Sequence, residues 1–242
     1  MHRRSWPTDA EFEAAWRLGE RIPGWLTRDQ AAELWTAVRS TAPGATIVEI
    51  GSHQGRSTVV LATAARGAGS TVVAVDPFIE GTVYGGQLTR ERFERHVSDA
   101  GLSDAITLEA DYSASVLARW SDGVGMLYID GKHDYWSCTK DLGWVARMPV
   151  DAAVFMHDAF SSVGVTAALV REYLRRRPRL RYRGRTGSLA AFAVGQPTVR
   201  ERFVLAGELP WFGRNLVIKV LLRLRLRRVA ALLGHDSPYD PY

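Results

Sequence analysis

Short apolar runs alternate with helix-like segments through the middle of this sequence, and this alternation constrains its fold more than any other feature. The runs, rich in β-branched and other apolar residues, span residues 46–50, 71–76, 106–109, 125–130 and 152–156. Segments compatible with helix follow them at residues 57–65, 89–100, 113–120, 136–146 and 163–176. Nearly continuous apolar strands separated by helices indicate a parallel sheet covered on both faces. The sequence therefore predicts a doubly wound α/β fold.

The flanking residues complete the predicted architecture. Residues 180–183 and 189–194 are strand-like and are joined through Gly184-Arg185-Thr186-Gly187, which predicts an antiparallel hairpin closing a mostly parallel, seven-stranded sheet. Apolar residues at helical spacing predict helices before and after this unit. We therefore expect an N-terminal helical segment (1–42), a central domain (43–196) and a basic, amphipathic helical tail (197–242).

Composition and cysteine content limit the class of protein. The chain has 242 residues, of which 46% are hydrophobic and 24% charged, so wholesale disorder, collagen-like repeats and coiled-coil rods are excluded. The single cysteine, Cys138, cannot form an internal disulfide, which favours a reducing compartment. Residues 1–8 lack the apolar core of a signal peptide, and no run is long enough to span a bilayer. We expect a cytoplasmic protein.

A glycine-containing loop follows the first predicted strand. Glu49 is followed by Gly51 and Gly55, and Ser57 opens the next helix. Two glycines four residues apart let the backbone turn tightly beside a ligand, yet the spacing is neither that of dinucleotide-binding loops nor that of phosphate-binding P-loops. An acid at this position would repel a pyrophosphate and attract a ligand that carries a cationic amine.

The next two predicted strands end in residues suited to a nucleoside. Asp76 ends the second strand, where a carboxylate can accept both hydroxyls of a ribose, although it could also simply form a strand-end turn. Asp111-Tyr112-Ser113 follows the third strand and could hold an adenine. This order resembles the class I S-adenosylmethionine (SAM)-dependent methyltransferases, which implies a Rossmann-like methyltransferase fold. The resemblance implies donor contacts from Glu49, Ile50, Gly51, Ser52, Gly55, Ser57, Asp76, Asp111, Tyr112, Ser113 and Asp130.

The fourth and fifth predicted strands narrow the resemblance. They are followed by Asp130-Gly131-Lys132-His133-Asp134-Tyr135 and by His157-Asp158. These segments resemble the I-D-G-x-H-x-Y and H-D elements of methyltransferase group 24, a family similar to the metal-dependent sugar, macrolide and catechol-type O-methyltransferases. The resemblance covers about residues 43–194.

This second resemblance implies a divalent cation and a histidine base. It implies metal ligands at Asp130, His157 and Asp158, and a general base at His133. Mg²⁺ is the expected ion, but an imidazole where the relatives usually have a carboxylate shifts the preference toward Mn²⁺, Co²⁺ or Zn²⁺. Other interpretations stay open: His133 as a surface loop residue, His157 as a packing residue, and Asp158 as the N-cap of the next helix.

The implied function is SAM-dependent methylation of a hydroxyl, most readily on a sugar of a bacterial glycan or a glycosylated natural product. A phenolic or catechol-like acceptor and a SAM-binding scaffold without catalysis are the alternatives; a nicotinamide oxidoreductase is disfavoured by the glycine spacing.

Positive charge is concentrated in the C-terminal part of the chain. Residues 171–228 contain 16 Lys and Arg but only three Glu. Nucleic acid is disfavoured as a partner because few aromatic residues stand among these arginines. Residues 216–233 alternate aliphatic residues with a stripe formed by Lys219, Arg223 and Arg227, which predicts a basic amphipathic helix. We expect this tail to mediate homodimerisation, with peripheral membrane contact as the second interpretation.

Overall fold

A mixed sheet of seven strands forms the centre of the protein. The computed structural model describes residues 10–81 and 84–235, so the ends of the predicted N-terminal segment and of the predicted tail lie outside the described residues. The strands are β1 (Thr46–Ile50), β2 (Thr71–Val75), β3 (Ile106–Glu109), β4 (Met126–Ile129), β5 (Ala153–Met156), β6 (Leu180–Thr186) and β7 (Leu189–Val194). Their order is β3-β2-β1-β4-β5-β7-β6. The first five are parallel, and β7 runs antiparallel to both neighbours. The predicted fold class is confirmed.

Helices cover both faces of the sheet. In chain order they are α1 (Ala10–Gly19), α2 (Arg28–Arg39), α3 (Arg56–Gly67), α4 (Gln87–Asp99), α5 (Ser113–Arg119), α6 (Tyr135–Asp141), α7 (Val163–Leu174), α8 (Val199–Ala206), α9 (Leu209–Arg223) and α10 (Arg227–Leu232). The predicted helix over residues 136–146 ends at Asp141 and continues as a 3₁₀ helix, Leu142–Arg147. Among the described residues, no helix combines the length and apolar character needed to cross a membrane.

The helices α1 and α2 pack on the same core as α3. Successive residues of β1 point to opposite faces, so that Ile47 lies in the core beneath α1–α4 and Val48 in the core beneath α5–α7. Phe12 of α1 and Trp35 of α2 meet edge to face, with 5.7 Å between ring centroids. Both rings are buried against the sheet, so α1 and α2 are structural parts of this face.

The hairpin β6–β7 differs from the prediction. The predicted loop at residues 184–187 is mostly strand, because β6 continues to Thr186 and the chain turns at Gly187-Ser188. The register shifts between Tyr182 and Gly184, and Gly184 has a φ of 129°. Glycine permits this backbone conformation, so an irregularity takes the place of the predicted turn.

The predicted helix over residues 216–233 is wrong as a single element. The structure has two helices here, α9 and α10, and between them Arg225 adopts a left-handed conformation with a φ of 61°. The predicted basic stripe is also divided, because the Lys219 ammonium group donates a 2.9 Å hydrogen bond to the carbonyl oxygen of Ser161. Helical spacing gives no signal for either event, since both depend on how α9 packs against the central domain.

We expect the N-terminal helices to unfold together with the sheet. Trp35 is 2% exposed, so Trp35→Ala should lower the free energy of unfolding by about 3–5 kcal/mol through lost burial and the cavity left behind. Leu18→Ala on α1 is the control; that side chain is 41% exposed, and we expect a change within about 0.5 kcal/mol. Urea unfolding followed by circular dichroism measures both. A separate early transition in Trp35→Ala would contradict a shared core.

Candidate active site

The carboxyl ends of β1, β4 and β5 converge on one edge of the sheet. Ile50 pairs with Ile129, and Ile129 pairs with Met156, so Gly51, Asp130 and His157 follow at the same level. Gly51 has a φ of 89°, and a Cβ atom built on it would lie 2.3 Å from the carbonyl oxygen of Asp130. Only glycine permits this close approach. The glycine loop and Asp130 can therefore lie side by side because residue 51 has no side chain.

Asp76 holds the glycine loop in place. Its carboxylate accepts a 2.9 Å hydrogen bond from the backbone N–H of His53 and another 2.9 Å bond from the N–H of Phe78. His53 has a positive φ of 47°, and Gly55 turns into α3 with a φ of 94°. Burial raises the pKa of Asp76, while the two N–H bonds act in the opposite direction. The carboxylate thus orders the loop beside the position where the predicted ribose would bind.

Glu49 lies beneath the glycine loop and has no exposed surface. Its two carboxylate oxygens accept hydrogen bonds from the hydroxyl groups of Ser57 and Thr58 at the start of α3. Burial raises the pKa of Glu49 to about 7, against the lowering effect of the two hydroxyl groups. Glu49 therefore supports the loop from below, and its predicted contact with a donor amine stays a prediction.

The predicted adenine-binding segment lies after β3. The Asp111 carboxylate accepts hydrogen bonds from the N–H of Tyr112 at 2.7 Å and from the Arg119 guanidinium at 2.9 Å. These two contacts lower the pKa of Asp111. The Ser113 hydroxyl accepts a 2.9 Å bond from the indole N–H of Trp144, and the Tyr112 side chain is exposed. Hydrogen bonds thus hold this loop in place while the Tyr112 ring stays exposed.

Two carboxylates and two imidazoles form an acid–imidazole cluster beside the glycine loop, made of Asp130, His133, His157 and Asp158. His133 lies between the carboxylates: its Nδ1 is 3.0 Å from Asp158 Oδ2, and its Nε2 is 3.4 Å from Asp130 Oδ1. Nδ1 of His157 is 3.2 Å from Asp130 Oδ1 and 3.5 Å from Asp158 Oδ1. The predicted metal ligands and the predicted base therefore meet in one place.

The cluster has a defined charge state. Burial lowers the pKa of His133, but hydrogen bonds to Asp130 and Asp158 outweigh it and raise that pKa to about 10. The imidazoles in turn overcome the effect of burial on the acids and lower the pKa values of Asp130 and Asp158. With both carboxylates facing it, His133 holds its proton at neutral pH. Its action as a base requires that the carboxylates engage another cation.

The donor atoms of the cluster fit a divalent cation. One ligand atom from each of Asp130, His133 and His157 lies within 4.8 Å of the others. Asp158 is outside this mutually close group but contacts both imidazoles. Carboxylate oxygens together with imidazole nitrogens suit Mn²⁺, Co²⁺ or Zn²⁺ better than Mg²⁺, which prefers oxygen ligands.

Asp158 is not the N-cap of the next helix, so that interpretation is wrong. The residue before α7 is Ser162, and Asp158 lies four residues further back with a left-handed φ of 54°. Its carboxylate is within 3.2 Å of the Ser161 hydroxyl, which donates to it, and it faces His133. Aspartate tolerates left-handed backbone better than most residues, which allows this sharp turn.

Two residues that were not among the predicted site residues also contact the cluster. The buried Tyr128 hydroxyl donates a 2.9 Å hydrogen bond to Asp130 Oδ2. The sequence could have indicated this contact, because residues two positions apart on a strand share a face, as Tyr128 and Asp130 do. Gln30 on α2 lies within 3.3 Å of His157 Nε2 through its Oε1 atom. Gln30 and His157 are 127 residues apart, so no local sequence pattern indicates this contact.

An open cleft adjoins the glycine loop. It is lined by Pro23, Gly24, Trp25, Leu26, Gly51, Ser52, His53, Arg56, Ser57 and Asp130. Trp25 and Tyr84 are exposed and meet edge to face with 5.1 Å between centroids, and the Trp25 ring lies 5.5 Å from His53. The connection between α1 and α2 thus forms the wall opposite the loop.

Comparison with known proteins agrees with this geometry. Residues 48–159, which include the glycine loop and all four members of the acid–imidazole cluster, match a family described as "Methyltransferase domain". Residues 48–159 form a methyltransferase domain. The resemblance to the class I SAM-dependent methyltransferases of group 24 is confirmed, as is the prediction that the chain is a methyltransferase.

Solved methyltransferases share the fold at low sequence identity. An O-methyltransferase from Bacillus cereus in complex with S-adenosylhomocysteine (SAH) is 16% identical, with a TM-score of 0.58 over 78% of this chain and 92% of that chain. SAH-bound PaMTH1 from Podospora anserina is 10% identical, with a TM-score of 0.62 over 78% and 89%. The O-methyltransferase TomG from Streptomyces achromogenes, in complex with SAM, is 15% identical, with a TM-score of 0.56 over 78% and 92%.

The raised pKa of Glu49 predicts a pH-dependent stability. The folded methyltransferase binds a proton at Glu49 up to about pH 7, whereas an ordinary glutamate releases it near pH 4.5, so the contribution favours folding at low pH and is lost as pH rises through this window. We expect a loss of about 3 kcal/mol between pH 4.5 and 7.5. Glu49→Gln should flatten this slope in denaturant titrations of the ligand-free protein. The exposed Glu91→Gln is the control, and equal slopes for Glu49→Gln and wild type would contradict the assignment.

Proposed function

We propose that this methyltransferase transfers the methyl group of SAM to a hydroxyl oxygen of a sugar, with help from a divalent cation and His133. The observation that carries the proposal is the acid–imidazole cluster at the ends of β4 and β5, directly beside the glycine loop after β1. Solved structures of similar fold are titled O-methyltransferases, and some contain SAM or SAH. Both the fold and the cluster are thus consistent with transfer to oxygen.

The donor would lie along the carboxyl ends of β1, β2 and β3. SAM supplies an electrophilic methyl group on its sulfonium. The glycine loop would leave room for the methionine part, Asp76 would face the ribose, and Tyr112 would offer a ring to the adenine. Asp130, whose pKa is lowered, would place negative charge near the methionine amino group and the sulfonium. The main contribution of such a site is to hold donor and acceptor in line, which is worth about 7–11 kcal/mol.

Asp130, His157 and Asp158 would hold the cation next to the acceptor. A bound divalent cation lowers the pKa of a coordinated hydroxyl and orients it. With these carboxylates engaged by the cation, the pKa of His133 would fall toward its ordinary range, and His133 could then accept the hydroxyl proton. Tyr128 keeps one oxygen of Asp130 in position throughout. The unusual imidazole ligand favours Mn²⁺ or Co²⁺ over the initially expected Mg²⁺.

The cleft supports a sugar as the acceptor. A pyranose has an apolar face of C–H groups and a polar rim of hydroxyls, and the exposed Trp25 ring beside His53 offers one partner to each. A catechol could also stack on Trp25 and ligate a cation through two oxygens, so it is the second acceptor class. Direct comparison of the two classes decides between them.

We expect glycosides to accept methyl groups in a metal-dependent reaction. SAM should bind in calorimetry, and transfer of ¹⁴C-methyl to a panel of glycosides and catechols should stop with EDTA and return with Mn²⁺. His133→Ala should lower turnover about 100-fold or more because the proton acceptor is lost, while the affinity for SAM stays within a few-fold. Lys132→Ala, whose side chain is exposed on the same loop, should keep normal turnover.

Several results would contradict this function. Transfer to catechols alone would replace the sugar acceptor, and full activity in EDTA would eliminate the cation. Binding of NADH without binding of SAM would overturn the donor. Normal SAM binding with no transfer to any hydroxyl acceptor would favour the alternative of a scaffold without catalysis. Loss of SAM binding in His133→Ala would assign that residue a folding role.

We propose further that the C-terminal helices attach the enzyme to an anionic membrane surface. Val217 and Val220 share one face of α9, and Leu224 follows at the end of that helix; like Leu226 and Leu232, all three are exposed. Exposed arginines stand beside them at positions 223, 225, 227 and 228. A second copy packed symmetrically on this surface would bring like charges together, whereas anionic headgroups would complement them. Charge complementarity therefore favours a lipid surface over the initially expected homodimer.

Vesicle sedimentation tests this attachment. The enzyme should bind vesicles containing phosphatidylglycerol but not vesicles of phosphatidylcholine alone, and added salt should weaken the binding. Leu224→Asp should weaken it about tenfold or more, because burying a leucine contributes about 1.5–3 kcal/mol. Leu88→Asp on α4 is the control, since Leu88 is 68% exposed against 63% for Leu224 but lies outside the C-terminal helices. Dimerisation at micromolar concentration without vesicle binding would show that a second copy occupies the surface.

A further inference from the structure

Gln30 is a buried polar residue outside the matched methyltransferase domain. It lies in the first turn of α2 and is only 2% exposed. Its Oε1 accepts a 3.0 Å hydrogen bond from the backbone N–H of Thr27, and its Nε2 approaches the carbonyl oxygen of Thr186 at 3.4 Å and the Ser188 hydroxyl at 3.3 Å. A backbone donor and a backbone acceptor therefore fix which end of the amide is oxygen.

This fixed amide determines which nitrogen of His157 carries a hydrogen. His157 Nε2 lies 3.3 Å from Gln30 Oε1, an atom that can only accept, so Nε2 must donate. The other ring nitrogen, Nδ1, then faces Asp130 Oδ1 at 3.2 Å and Asp158 Oδ1 at 3.5 Å. In the neutral ring Nδ1 carries a lone pair directed at two carboxylates, so either a proton on Nδ1 or a metal cation must lie between them.

We infer that Gln30 is a positioning residue: it holds His157 in the Nε2–H form and directs Nδ1 as a ligand toward a divalent cation of borderline hardness at Asp130 and Asp158. This inference rests on the cation of the proposed function. A hydrogen bond to the far side of a ligating imidazole fixes its tautomer and ring orientation and strengthens it as a ligand. Here the partner comes from a helix outside the matched domain, because α2 packs over the turn between β6 and β7 and reaches the end of β5.

The geometry makes Gln30 hard to replace. His157 is 4% exposed, so no bulk water is available to satisfy its Nε2–H group. Leucine at position 30 would fill a similar volume but would leave the N–H groups of both His157 and Thr27 without their acceptor. Glutamate would keep an accepting oxygen for both groups. These two substitutions therefore separate the accepting function from the packing function.

The test is a Co²⁺ titration of the full chain, followed by the visible absorption of the bound ion. Gln30→Leu should weaken Co²⁺ binding about 10–100-fold and change the spectrum, because Nδ1 is no longer directed at the ion. Gln30→Glu should restore the affinity to within a few-fold of wild type. Thr27→Ala is the matched control: it removes the capping hydroxyl of α2 at a cost of about 1 kcal/mol but leaves the Gln30–His157 contact, so it should bind Co²⁺ normally.

The outcomes distinguish this inference from the proposed function. Equal Co²⁺ affinity and spectra in wild type and Gln30→Leu would overturn the positioning role, as would equal weakening in Gln30→Leu and Thr27→Ala. SAM binding, measured on the same samples, identifies a variant that has lost its fold; if Gln30→Leu does so, failure of Gln30→Glu to bind Co²⁺ overturns the role. A wild-type protein that binds SAM and methylates glycosides but does not bind Co²⁺ would eliminate the inference and leave methyl transfer intact.

Discussion

The close contact between Gly51 and the carbonyl of Asp130 is the constraint on which the site depends. It removes any side chain between the end of β1 and the end of β4, so the loop for the donor and the first acid of the cluster share one cavity. Every other element supports this contact. Asp76 ties the loop to the end of β2, Glu49 of β1 holds the start of α3 beneath it, and Tyr128 fixes Asp130 from within β4. The methyltransferase domain is thus organised around a backbone approach rather than around a side-chain contact.

The opposite charges of the acid–imidazole cluster cancel, but the proposed chemistry also needs a divalent cation. Two imidazoles and two carboxylates lie close enough to neutralise each other, which offsets the cost of burying His157 and Asp158 beside the carboxyl edge of the sheet. The same attraction raises the pKa values of both imidazoles, so at neutral pH little of the neutral form is left to accept a proton. A divalent cation would take over the neutralising role of those protons. Binding of the cation and activation of His133 are therefore expected to be one event.

The sequence predicted the central sheet and the composition of the cluster because both follow from local patterns. Apolar runs locate β1–β5, and the acids and histidines that follow them meet because parallel strands end at the same edge. The failures concern contacts between distant segments. The break at Arg225, the continuation of β6 past Gly184 and the contact between Gln30 and His157 all depend on packing across the fold. Apolar residues occur on more than one face of the tail, so their spacing does not indicate which face packs against the central domain.

The helices α1 and α2 lie outside the matched domain, yet they contribute one wall of the cleft and a partner for His157. Residues 48–159 carry the acids and glycines that such chemistry requires. The exposed side chains of the connection between α1 and α2, such as Trp25, can vary without disturbing them. An exchange of this leading segment between distant members of the family would therefore transfer selectivity for the molecule being modified, and with it the preference for one cation over another, onto an unchanged catalytic framework.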